Sequence, residues 1–230
     1  MRTRSSRGSS IVSYLAALGV LAVAAMGCAR ADEHIESAAS STVGPADHVC
    51  PRFATERWVD VPSKSADEPR LRIPQPAGWE PVEGIDNAEL RLVLRNERLG
   101  VGTHVPTITV LVENPVPIAS ADQLLDSEVQ NLKDEGFTDV AETPTDVCGY
   151  AATKVTFVDP PPSPQGTIPA RPSTAVIAAP EINGHLWGTG VLIQAVDPED
   201  SVFIADLNTV LTGFQIHPPT GEPGKAGKNR

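Results

Sequence analysis

Basic side chains are scarce in this 230-residue chain, 18 Lys and Arg against 29 Asp and Glu. The shortage excludes proteins that hold a phosphate backbone through a broad cationic surface, so no nucleic-acid partner is expected. Cysteine is rarer still: Cys28, Cys50 and Cys148 are the three present. None has a second Cys or a His at ligand spacing, which excludes a zinc finger or ribbon. Aromatic residues make up 4% of the chain, so each tryptophan carries more weight as a core or binding residue. There is no G-x-S-x-G elbow, no G-x-G-x-x-G followed by a helix and no Walker pattern. His34, His48, His104, His185 and His217 are scattered, with no pair at metal-binding helical spacing. Asp197, Glu199 and Asp200 lack the D-x-D-x-D-G order of a calcium loop, and capping a helix is the simpler use for them. No metal, no cofactor and no catalytic residue is therefore expected.

What is there begins with an export signal. Arg2, Arg4 and Arg7 precede an apolar run from Ile11 to Gly27 with no acidic group among them. Ala25, Met26 and Gly27 then lead to Cys28, a small residue directly before a cysteine. A lipoprotein signal peptidase cuts at such a site and leaves a diacylglycerol thioether, a palmitate-type anchor, on the sulfur. The alternative is cleavage after Ala29, Arg30 and Ala31, an A-x-A site that would discard Cys28 and release the protein as a secreted one. Without residues 1–27 three of the 18 bases are gone and no acid is lost, so the exported body carries a net charge near −14. In an oxidising compartment Cys50 and Cys148 make one possible disulfide, the alternative being two unpaired buried thiols.

Residues 28–49 are small and polar, without an apolar period, and read as a lipidated N-terminus on a flexible tether. Residues 217–230, with Pro218, Pro219 and Pro223, read as a disordered tail. Between them, 50–216 has the length of one domain. Leu90, Leu92 and Leu94 alternate with Arg91 and Arg95, and Ile108, Val110 and Val112 alternate similarly. Further strands are expected around 71–73, 138–143, 151–158 and 174–178, with a long one over 186–196. Most would bury one face only, which suits an antiparallel sheet covered by helices, an α+β class. One helix opens on Ser120 and runs through Leu125, Val129 and Leu132 to Gly136. A second is capped by Asp197, with Pro198 in its first turn and Phe203, Leu207, Val210, Leu211 and Phe214 at helical spacing. The prolines at 160–162, 164, 169 and 172 predict a stiff, exposed loop.

A strand leading into Pro74, Pro76, Gly78 and Trp79, with Gly149, Tyr150 and Ala152 ahead of a later strand, resembles the mycobacterial lipoproteins of the LpqN/LpqT type. The exported leader and the Ser/Thr-rich tether match too, and the resemblance covers roughly 50–217. It implies the fold of the photosystem extrinsic protein PsbP, an α/β/α sandwich around an antiparallel sheet, but brings no site residue with it. The long proline-rich loop and the cysteine pair depart from the pattern.

These observations point to a non-enzymatic binding or accessory module on the outer face of a bacterial plasma membrane, recruiting an envelope or membrane protein partner. The alternatives are a lipid or glycolipid carrier with an apolar cleft between sheet and helix, and a serine hydrolase of the envelope. Trp79, after a Pro-Gly turn, and Trp187, beside Gly188, are the candidate binding residues, with core packing as the competing use of both.

Overall fold

The computed structural model describes residues 49–219, apart from 56, 86, 114, 116, 117, 119 and 160–169. The expected signal peptide, Cys28 with nearly all of the tether, the prolines at 160–162, 164 and 169, and residues 220–230 lie outside the described residues.

The elements run β1 (Trp58–Asp60), β2 (Arg70–Pro74), β3 (Glu80–Pro81), β4 (Leu90–Arg95), β5 (Thr107–Val112), α1 (Ala121–Asp134), β6 (Thr138–Val147), β7 (Tyr150–Asp159), β8 (Arg171–Ala178), β9 (Glu181–Ile182), β10 (His185–Leu186), β11 (Thr189–Gln194), α2 (Ser201–Gly213) and β12 (Gln215–His217). Seven strands form one sheet in the order β3-β4-β5-β11-β8-β7-β6. A three-stranded sheet, β1-β2-β12, lies apart from it, and β9 and β10 make a small hairpin. The registered strand pairs are all antiparallel. The architecture is α+β, a largely antiparallel sheet flanked by two helices.

Strand periodicity assigns the two faces of the large sheet. Val110, Val176, Val191 and Ile193 join Phe203 and Val210 of α2 and Leu71, Ile73 and Ile216 of the small sheet in one core. Leu111, Val155, Ile177 and Leu192 point the other way and meet Leu124, Val129 and Leu132 of α1 in a second core. The central strands β5 and β11 are therefore covered on both faces, whereas the edge strand β6 is exposed along most of its length. Burial of one face only, the sequence expectation, holds for strands such as β7, where Tyr150, Ala152, Val155 and Phe157 are buried while Ala151, Lys154 and Thr156 are exposed, but not for the central pair β5 and β11.

Four local expectations are also corrected. The alternation in β4 is broken by a register shift between Leu90 and Leu92, so Leu90 packs on the α1 side while Leu92 and Leu94 face the other core. Arg91, expected on the face opposite the leucines, is 7% exposed and pairs with Glu68. The long strand over 186–196 is two strands in different sheets, split at Trp187 and Gly188. Asp200, not Asp197, caps α2: its Oδ1 accepts from Val202 N at 2.8 Å and Phe203 N at 2.9 Å, while Asp197 Oδ1 closes a turn onto Glu199 N. Helix α1 opens as expected, with Ser120 Oγ accepting from Gln123 N at 3.2 Å, and Gly136 follows it at φ +88°.

Candidate functional site

The segment arriving at the domain lies over the outer face of the small sheet. In β2 the order Arg70, Leu71, Arg72, Ile73 alternates, so Leu71 and Ile73 enter the core while the arginines face out. The register sets Gln215 opposite Arg72 and His217 opposite Arg70 across β2 and β12, and Asp60 opposite Arg72 across β1 and β2. One face of three short strands thus gathers Trp58, Asp60, Arg70, Arg72, Gln215 and His217.

Two attachments hold the arriving segment there. Cys50 is bonded to Cys148 (S–S 1.97 Å, Cα–Cα 4.2 Å), so the structure forms the pair that the sequence allowed. Cys148 occupies the first position of the two-residue β6–β7 turn at φ 55°, with Gly149 at φ 83°, the backbone that a tight antiparallel hairpin requires. In addition, Gln215 Nε2 donates to Pro51 O at 3.3 Å. Phe53 then packs so close to the end of α2 that a Cβ on Gly213 would sit 2.9 Å from its ring and 2.3 Å from Pro74 Cγ. Only a residue without a side chain fits there.

Between this segment and the small sheet is a cavity of about 530 Å³ that is open to solvent over most of its extent. Arg52, Phe53, Trp58, Arg72, Gln215 and His217 are on its walls. Phe53 and Trp58 meet edge to face at 6.1 Å, and the guanidinium carbon of Arg72 stands 4.2 Å from the Trp58 ring centre. Arg72 Nε makes no hydrogen bond, its nearest anion being Asp60 Oδ1 at 3.7 Å. Burial and the neighbouring guanidinium groups of Arg70 and Arg72 hold the His217 imidazole below its usual range, against an opposing pull from Asp60. The imidazole lies 3.3 Å from Gln215 Oε1 and 4.0 Å from Cys50 Sγ. This arrangement offers positive charge, hydrogen-bond donors and an aromatic wall in one place.

The tryptophans singled out by sequence lie elsewhere. Trp79 is fully buried and its Nε1 donates to Asp206 Oδ2 at 2.7 Å; Trp187 is 4% exposed and its Nε1 has no hydrogen-bond partner. Both belong to the core beneath α2, so their rings face protein on the described surface. Trp58, Arg72 and His217 were missed as a group. Arg70 and Arg72 on alternate residues ahead of Pro74 were the one legible signal, while His217 looked like the first residue of the tail but belongs to β12.

Two other places gather charge. Glu113, Glu128 and Glu89 are buried near one another on the α1 side at 2%, 3% and 2% exposure. Burial first, then the Glu128 and Glu89 carboxyls, push Glu113 from 4.5 up to about 9, so it is protonated at neutral pH. Between α1 and the β6–β7 pair is a groove of about 280 Å³ with Asp122, Asp126 and Glu142 on its walls beside Leu125. Among the described residues no group of three His, Cys, Asp or Glu side chains is placed to hold a metal ion, and no helix is long and apolar enough to cross a membrane.

No family model matches the chain, and no curated protein matches it by sequence. By structure it is similar to LpqN of Mycobacterium tuberculosis, a protein involved in cell envelope biogenesis, with a TM-score of 0.55 and 13% identity over 73% of this chain and 100% of that one. It is also similar to the Ran-binding protein Mog1p of Saccharomyces cerevisiae, with a TM-score of 0.41 and 11% identity over 63% of this chain and 89% of that one. The first comparison establishes an LpqN-like fold.

Proposed function

We propose that the chain is an exported accessory module of the cell envelope, held at the outer face of the plasma membrane by a lipid on Cys28, that acts by binding a protein partner rather than by catalysis. Membership of the LpqN/LpqT-type lipoproteins is part of this reading. The observation that carries it is the Cys50–Cys148 bond, which closes across 98 residues of sequence and fastens the arriving segment to the sheet. Such a bond persists in an oxidising compartment, where the basic, apolar leader would deliver the chain. The fold shared with LpqN, a protein of cell envelope biogenesis, supports the same address.

Mass spectrometry of the mature N-terminus tests the anchor. A diacylglyceryl modification on Cys28 is expected, with transfer of Cys28→Ala from the membrane to the soluble fraction; a free amine on Asp32 overturns it. The binding role is tested by crosslinking the native envelope, in which a discrete protein neighbour is expected, and by fluorophosphonate labelling of the purified chain. A labelled serine would turn the reading toward the hydrolase.

A further inference from the structure

The walls of the cavity beside Cys50 carry a chemistry that the protein-binding role does not use. The exported chain is short of bases, yet Arg52, Arg57, Arg70 and Arg72 all fall within 21 residues of sequence, and the small sheet brings two of them to one face with His217. The Trp58 ring fixes the plane of Arg72 from one side. The Nε of that guanidinium is covered and has Asp60 Oδ1 standing off at 3.7 Å, and no carboxylate grips the group in a bidentate way, so its terminal nitrogens are what it offers to a ligand. Arg72 is thus preorganised without being consumed, as a guanidinium that receives an oxyanion must be. Arg52 reaches the cavity from the arriving segment, and Gln215 and His217 add an amide and a ring nitrogen. The acidic body does not cancel this field, since at physiological salt charges beyond about 8 Å are largely screened.

We propose that this cavity binds a phosphoester, its oxyanion held by Arg72, Arg52 and His217 and the carbon skeleton it carries laid against Phe53 and Trp58. The volume of about 530 Å³ exceeds the needs of a bare phosphate and suits a glycerol-phosphate or sugar-phosphate group. The same chemistry has two sources, the head group of an anionic phospholipid and a soluble phosphoester. The inference does not depend on the protein partner, and it uses the location proposed above only in supposing that the first source is at hand. The disulfide belongs to the device, because it keeps the Arg52 wall opposite the sheet.

The test uses the full exported chain with Cys28→Ser, so that no acyl group contributes to membrane binding and a negative result leaves the anchoring experiment unaffected. Tryptophan emission and the His217 ring resonances are followed against glycerol 3-phosphate, phosphatidylglycerol vesicles and phosphatidylcholine vesicles. A saturable change is expected with the first or second probe and none with the third. Response to glycerol 3-phosphate identifies a soluble source as sufficient, and response to phosphatidylglycerol alone identifies the membrane surface. Arg72→Gln and the exposed, structurally undemanding Arg52→Gln should each weaken binding about tenfold or more, as loss of a charge-assisted contact does. Asp60→Asn should strengthen it severalfold and Arg98→Gln, away from the cavity, leave it unchanged.

Bound oxyanion should also raise the His217 pKa against burial and the opposing Arg70 and Arg72, in the same direction as the pull of Asp60. Affinity then increases as pH falls through the imidazole range. No saturable response to either phosphoester probe, equal binding to phosphatidylcholine, or undiminished affinity in both arginine variants would overturn the proposal.

Discussion

Beneath α1 the domain buries Glu113, Glu128 and Glu89, whereas the small sheet on the opposite side keeps Arg70, Arg72 and His217 outside a core of Leu71, Ile73 and Ile216. The same sequence thus treats its abundant acids and its scarce bases in opposite ways. A carboxyl can enter a core because it can take up a proton and become neutral, as Glu113 does. A guanidinium cannot be neutralised at any ordinary pH, so it stays at the surface or brings an anion with it. Arg91 is the exception that obeys the second condition. Its Nη2 lies 3.0 Å from Glu68 Oε1, Nη1 donates to Ala88 O, and both side chains are almost fully buried. Glu68 in turn accepts from Lys64 N and Ser63 Oγ, so the pair joins the loop before β2 to strand β4 of the large sheet.

Breaking that joint is expected to have the largest effect. Arg91→Ala leaves the Glu68 carboxylate buried without its cation and should cost about 3–5 kcal/mol in urea unfolding, against about 0–1 kcal/mol for removing the exposed Arg95–Glu97 pair. Next comes the disulfide on the small-sheet side. Cys50→Ser should remove about 2–5 kcal/mol and lower Tm by on the order of 10 °C, and hydrogen exchange should accelerate in β12 and the arriving segment before it does in α1.

The acidic side responds to pH instead. Because Glu113 is protonated in the fold up to about 9 and its ordinary value is 4.5, its contribution is complete below pH 4.5 and is lost as pH rises from there through about 9. Urea melts should lose stability steadily as pH rises from 5 to 8, and Glu113→Gln should flatten that slope and stabilise the fold at pH 7. The smallest effect belongs to the caps, one for each helix. Asp200→Ala and Ser120→Ala should each cost about 1 kcal/mol, with Asp200 the greater because it serves two N–H groups.

The antiparallel sheet, both helices and the cysteine pair were legible because each rests on a local rule, whether strand alternation, capping chemistry or redox arithmetic. The missing parts were invisible for equally physical reasons. Strands of three residues, such as Trp58–Asp60 and Gln215–His217, are too short to show a period, and they are held by partners far away in sequence. The β4 bulge reverses the side-chain parity without changing composition, so Leu90 was placed on the wrong face. Helix α2 begins at Ser201 because Asp200 reaches two free N–H groups, and Asp197 with Pro198 imitates the same signature three residues too early. The cavity had no motif at all. Its residues come from three stretches of chain, and only the β2 register with β12 on one side and β1 on the other brings them together.

One further consequence concerns the places where the chain reaches and leaves the described domain. Pro51 touches Gln215, and Arg70 Nε donates to Pro218 O at 3.0 Å, so the first and last described segments run side by side over the small sheet. A body whose two ends are neighbours can be transplanted into a surface loop of another protein without prying that host apart. The same adjacency puts residue 219 beside the segment entering the domain, so a purification tag is better placed elsewhere, for instance in the Asn183–Gly184 turn on the β9–β10 hairpin.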